Sequence, residues 1–185
     1  METCYSWSGP LDLEAGKLLA VLPTLGKVWR LSFFINPTSF TYNGWTNIIH
    51  LTSGGNRGNS GDRTPAIFFH PDRGFSVHSD VNGNPNFKPE KFKPPPAPIG
   101  EWTLIVVSQM KKESEYIYRI VIGDSEYSVE NTEPAEFSDV HVYASNPFGY
   151  VPQPGSIKRF EFCQAQAGKE QLVKLDKEPD LPRLS

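Results

Sequence analysis

Alternation with a period of two residues runs through nearly all of the chain, and it restricts the fold more than any other feature. Between Val28 and Ile35, the side chains of Trp29, Leu31, Phe33 and Ile35 fall on one face. Phe75, Val77, Ser79 and Val81 alternate with Ser76, His78 and Asp80. From 102 to 109 both sets are largely apolar, the pattern of a strand covered on two faces. Tyr116, Tyr118, Ile120 and Ile122 repeat the rhythm, as do Val140, Val142 and Ala144, and Ile157, Phe160 and Phe162 close the series. Turn-forming pairs separate the runs: Asn43-Gly44, Gly54-Gly55, Asn82-Gly83, Gly123-Asp124, Asn146-Pro147 and Pro154-Gly155. Short strands punctuated in this way, with no helical period before residue 165, predict an all-β sandwich, with a three-stranded meander over 102–130.

The length of 185 residues suits one well-buried domain. The strand pattern assigns residues 1–163 to the sandwich and leaves 164–185 as a polar, charged tail or linker. The Pro-rich stretch 88–98 reads as an extended crossover between sheets. No apolar run approaches the roughly 20 residues that cross a bilayer, so membrane insertion is not expected. The net charge of −3, without a basic stripe, argues against nucleic acid as a partner.

The two cysteines, Cys4 and Cys163, lie near opposite ends of the sandwich segment. If the terminal strands are neighbours, the two can form a disulfide; two separate reduced thiols are the alternative. A bridge points to an oxidising compartment, and hence to a secreted protein or an ectodomain, although this chain shows no secretion signal.

Four stretches carry a family resemblance. "GKVWRLSFFINPTSF" (26–40) resembles the opening core strand of concanavalin A-like sandwiches, and "NIIHLTSGG…GDRTPAIFFHPDRGFSVHSDVNG" (47–83) resembles the concave-face strands that follow. "GEWTLIVVSQ" (100–109) is similar to their middle strand, and "FSDVHVYASNPFGYVPQPGSIKRFEF" (137–162) to the closing strands of laminin-G-like domains. The resemblance, to the concanavalin A-like lectin/glucanase superfamily, implies an antiparallel jelly-roll β-sandwich. It leaves binding and glycoside hydrolysis both open.

Hydrolysis needs two carboxylates a few ångströms apart on one strand face. The pairs present, Asp12 with Glu14, Glu113 with Glu115 and Glu126 with Glu130, lie at an edge, in a turn or on a solvent face. There is no Gly-x-Ser-x-Gly motif and no phosphate-cradling Gly-Lys-Ser/Thr. No enzyme is expected.

In "SDVNGNPNF" (79–87), Asp80, Asn82, Asn84 and Asn86 alternate as hard oxygen donors. Calcium is the cation they would take, with Asp62 as a second carboxylate beside Asp80. An EF-hand is excluded, because Gly83 precedes the third ligand and residue 91 is Lys where a bidentate Glu is needed. A type I′ hairpin at Asn82-Gly83 is the preferred reading of the stretch.

The Gly- and Asn-rich loop 53–63 reads as a flexible recognition loop beside that hairpin. The expected ligand-binding residues are Trp45, Asn56, Arg57, Asp62, Arg63, His78, Asp80, Asn82 and Asn84, with Tyr42 and Phe148-Gly149-Tyr150 as aromatic platforms. The expected function is extracellular recognition or adhesion, lectin-like binding of a glycan ahead of an extracellular protein partner. Strand-edge pairing between copies would make oligomers.

Overall fold

The computed structural model describes residues 2–165. Fourteen strands follow one another along the described residues. The first seven are β1 (Glu2–Trp7), β2 (Leu11–Asp12), β3 (Leu18–Leu25), β4 (Trp29–Pro37), β5 (Thr46–Thr52), β6 (Ala66–Phe69) and β7 (Phe75–Val81). The others are β8 (Asn84–Phe87), β9 (Thr103–Lys112), β10 (Glu115–Ile122), β11 (Ser125–Glu130), β12 (Phe137–Tyr143), β13 (Val151–Pro152) and β14 (Gly155–Ala165). One sheet has the order β1-β14-β4-β9-β10-β11, with β2 also on β14. The other runs β3-β12-β5-β6-β7-β8, with β13 lying parallel to β5 and every other pairing antiparallel. This is an antiparallel jelly-roll sandwich.

The alternation in the sequence becomes the core. Trp29, Leu31, Phe33 and Ile35 of β4 meet Ile49, Leu51, Ile67, Phe69, Val140 and Val142 from the opposite sheet, all of them buried. Burying each such side chain contributes about 1.5–3 kcal/mol. Tyr118 sits wholly inside, and its hydroxyl shares a 2.6 Å hydrogen bond with Ser79 on the facing sheet. Burial pushes that phenol's pKa upward.

The meander β9-β10-β11 forms as expected, and the stretch 88–98 crosses from β8 in one sheet to β9 in the other. β14 breaks the period because a bulge at Arg159, with φ +48°, shifts its register on β4 between Lys158 and Glu161. The bulge lets Ile157, Phe160 and Phe162 all point inward despite their uneven spacing.

Asn82 and Gly83, with φ of +55° and +71°, form the two-residue turn between β7 and β8. Strand β8, "NPNF", is thus the outermost strand of its sheet at one side, and β3, "LLAVLPTL", is outermost at the other. Gln164 and Ala165, assigned above to the tail, complete β14; the rest of that segment, 166–185, lies outside the described residues.

Cys4 and Cys163 are directly opposed in the β1–β14 ladder and form a disulfide. The bridge closes a 159-residue separation. The double substitution Cys4→Ser, Cys163→Ser should cost roughly 4–5 kcal/mol of unfolding free energy on the loop-entropy model. Denaturant titration of both forms tests this, and equal midpoints would refute it.

Candidate functional site

Strands β5, β6 and β7 are buried on both faces. Ile67 and Phe69 enter the core, so Phe68 between them faces the other way. There it meets His50 of β5 and His78 of β7, with ring centroids 6.2 and 5.5 Å away, and Tyr150 at 5.0 Å. Trp45 stands edge-on to Phe68 at 5.9 Å and to His70 at 4.0 Å. The Arg63 guanidinium lies 4.8 Å over the Phe68 ring. An antiparallel sheet commonly leaves this face to water. Here the segments 53–63 and 145–151 close over it, and His50, Phe68, His78 and Arg63 are all buried.

Two neutral histidines hold these segments down. Nε2–H of His50 donates to the Asp62 carbonyl at 2.7 Å, which leaves Nδ1 to accept from the Asn146 amide at 3.1 Å. Asn47 donates to the Ile67 carbonyl and accepts from the Asn146 backbone N–H at 2.7 Å, while the Asn146 Oδ1 accepts from the Phe148 N–H. One buried ring therefore ties both covering segments to β5. His78 Nδ1 lies 2.8 Å from Asn86 Oδ1 and 3.1 Å from Nη1 of Arg63 in loop 53–63, and Nε2 shares a 2.8 Å hydrogen bond with the Ser76 hydroxyl. Burial is the main cause that lowers both imidazoles, each to about 4.

The loop 53–63, read from sequence as flexible, is internally braced. Asp62 Oδ2 accepts the N–H groups of Gly58 and Asn59 at 2.7 and 2.9 Å. Gly55 makes room for that carboxylate, since a Cβ there would lie 2.3 Å from Asp62 Oδ1. Asp80 accepts from the Ser60 hydroxyl and the Gly61 N–H, pinning the loop to β7. Arg63 Nε donates to the Asn56 carbonyl at 2.8 Å and Nη1 to Asn86 Oδ1 at 2.9 Å.

Above this layer opens a cleft of about 740 Å³ lined by Tyr42, Trp45, Arg57, Arg63, His78, Asn86, Lys88 and the segment 148–151. Of the residues expected from sequence, it brings together Trp45, Arg57, Arg63 and His78, with Asn56 behind Arg63. Asp62, Asp80, Asn82 and Asn84 do not line it. Asp62 and Asp80 brace the loop, whereas Asn82 binds the Glu130 carbonyl and the Thr132 N–H, joining its hairpin to the other sheet. Asn84 caps its own turn through the Asn86 N–H.

Lys88 and Asn86 were not among the expected ligand residues. Their signal was the continued alternation Asn84, Asn86, Lys88 along and beyond β8, which carries Asn86 beneath the loop to His78.

The calcium reading fits poorly. Each of the two carboxylates already accepts two loop donors. Among the described residues, the single cluster of three metal-ligating side chains is Glu2 with Cys4 and Cys163, whose sulfurs are spent in the disulfide.

No protein-family model matches the chain, and no curated protein sequence matches it. Solved structures do. The binding domain of botulinum neurotoxin serotype D superposes with TM-score 0.54 at 11% identity, over 88% of this chain and 43% of that one. The sialidase of Trypanosoma rangeli gives 0.51 at 9%, over 73% of this chain and 20% of that one. A SAP-like pentraxin from Limulus polyphemus gives 0.49 at 13%, over 83% and 72%. The chain thus spans less than half of the first two. The feature shared with the first two is the jelly-roll β-sandwich fold.

Two measurements probe the covered face. The unfolded chain binds protons on His50 and His78 below about pH 6.5, and the folded chain binds them only near 4, so stability is complete above 6.5 and declines as pH falls towards 4. Unfolding free energy should drop by about 2 kcal/mol per histidine between roughly pH 7.5 and pH 5. His78→Gln should flatten part of that slope; an unchanged slope would contradict the assignment. Ser145, where β12 leaves for the covering segment, holds φ +83° and a buried hydroxyl without a partner among the described residues. Ser145→Gly should therefore stabilise the fold by about 1 kcal/mol, read as a rise in melting temperature.

Proposed function

We propose that the chain is a non-catalytic, lectin-like module that binds a glycan in the cleft between loop 53–63 and the segment 145–151. One observation carries this reading: the cleft is lined by aromatic rings and by amide, guanidinium and ammonium donors, and among the described residues no carboxylate lines it. Trp45, Tyr42 and Tyr150 offer faces and edges on which a pyranose can stack. Arg57, Asn86 and Lys88 offer hydrogen bonds to hydroxyl groups. A glycosidase would need a proton donor and a second carboxylate there. The shared fold includes both a toxin's binding domain and a sialidase, so the lining residues, and not the architecture, favour binding.

The disulfide supports a secreted or lumenal setting, where recognition or adhesion would take place. A protein ligand would call for a broad exposed apolar patch. The large exposed apolar side chains, Trp7, Leu18, Val21, Tyr42 and Ile99, are spread over β1, β3 and separate connecting segments.

A glycan array followed by calorimetry on the strongest hit tests the proposal. Tyr42→Ala, at an exposed position, should weaken binding about tenfold, or roughly 1.4 kcal/mol, with little change in thermal stability. Trp45→Ala should weaken it at least as much. Full affinity in both variants would place the ligand elsewhere.

A further inference from the structure

We infer that the saccharide held by this cleft is anionic, its carboxylate or sulfate group seated against Arg63 between Arg57 and Lys88. The inference rests on the glycan-binding reading and specifies the chemistry of its ligand. Arg63 is only 3% exposed, yet among the described residues no carboxylate lies within ion-pair distance of it. A cation taken out of water without a counter-ion is costly.

Its neighbours are neutral. Asn56 and Asn86 accept from it, Phe68 lies beneath it, and the uncharged His78 brings Nδ1 to 3.1 Å from Nη1. The adjacent Asp62 has its carboxylate engaged by the Gly58 and Asn59 amides. The fork of Arg63 is also incompletely used. Nη2 reaches Asn56 Oδ1 and the Tyr150 hydroxyl only at 3.5 Å each, the outer limit for a hydrogen bond. A charged oxygen arriving from the cleft would meet those N–H groups at better range, in the charge-assisted geometry that guanidinium favours.

Two more cations line the same opening. Arg57 is exposed on the loop, and Lys88 is exposed with its ammonium 5.8 Å from the Trp45 ring. Among the described residues, three positive side chains and no acid line this opening, in a chain whose net charge is −3, so the local excess runs against the composition. A neutral sugar would leave all three charges without a counter-ion.

The test compares matched ligands by calorimetry on the intact chain: a uronic-acid oligosaccharide against its methyl ester, and a sulfated oligosaccharide against its desulfated form. The acidic member of at least one pair should bind more than tenfold tighter, with affinity falling as salt rises. Preference in one pair alone supports the inference and identifies the charged group. Arg57→Ala and Lys88→Ala, both exposed and compatible with folding, should each cut the acid-over-neutral ratio about threefold or more. Equal binding of charged and neutral members overturns the inference and leaves the glycan reading standing. Binding of no saccharide overturns both, as does binding of poly-glutamate without any saccharide.

Discussion

A buried, uncharged imidazole organises one face of this protein. His50 stands on a strand with no exposed residue and uses both ring nitrogens, one towards loop 53–63 and one towards Asn146. Polar atoms so deeply enclosed must be paired, and the requirement runs in both directions. The covering segments satisfy the ring, and the ring fixes where those segments lie. The positions of Arg63, Tyr150 and Phe148 follow from that arrangement, and with them the walls of the cleft. The hydrophobic core between the sheets makes the sandwich, and this second, mixed layer of His50, Phe68, His78 and Arg63 forms the floor beneath the cleft on its outer side.

Much of the sandwich was legible in the sequence because period two leaves so few options. Trp29, Leu31, Phe33 and Ile35 read as a core face and are one. Asn82-Gly83 read as a type I′ turn because the geometry needs positive φ twice, and both residues have it. The cysteines read either as partners, if the terminal strands were neighbours, or as two separate thiols, and the ladder decides for the bridge by setting Cys4 opposite Cys163.

The cleft was less legible, for a physical reason. Its residues are brought together by loop closure across long separations, from Trp45 to Tyr150, and no local pattern encodes that convergence. Strand β5, buried at every position, shows no alternation that would reveal its second cover. Two carboxylates, one in loop 53–63 and one on β7, read differently in the sequence and in the structure. Asp62 and Asp80 have the look of ligand-binding groups in the sequence, yet they serve as internal anchors for backbone N–H groups. Asn82, the centre of the most ligand-like stretch, fastens one sheet to the other.

The two outermost strands of the cleft-bearing sheet each contain a proline, Pro23 in β3 and Pro85 in β8. A proline has no amide hydrogen, so neither border presents an unbroken row of donors to a strand from another molecule. In the opposite sheet, the border strands β1 and β11 contain none. An edge interrupted in this way is a poorer template for an added strand, so the borders beside the cleft resist backbone pairing more than β1 and β11 do.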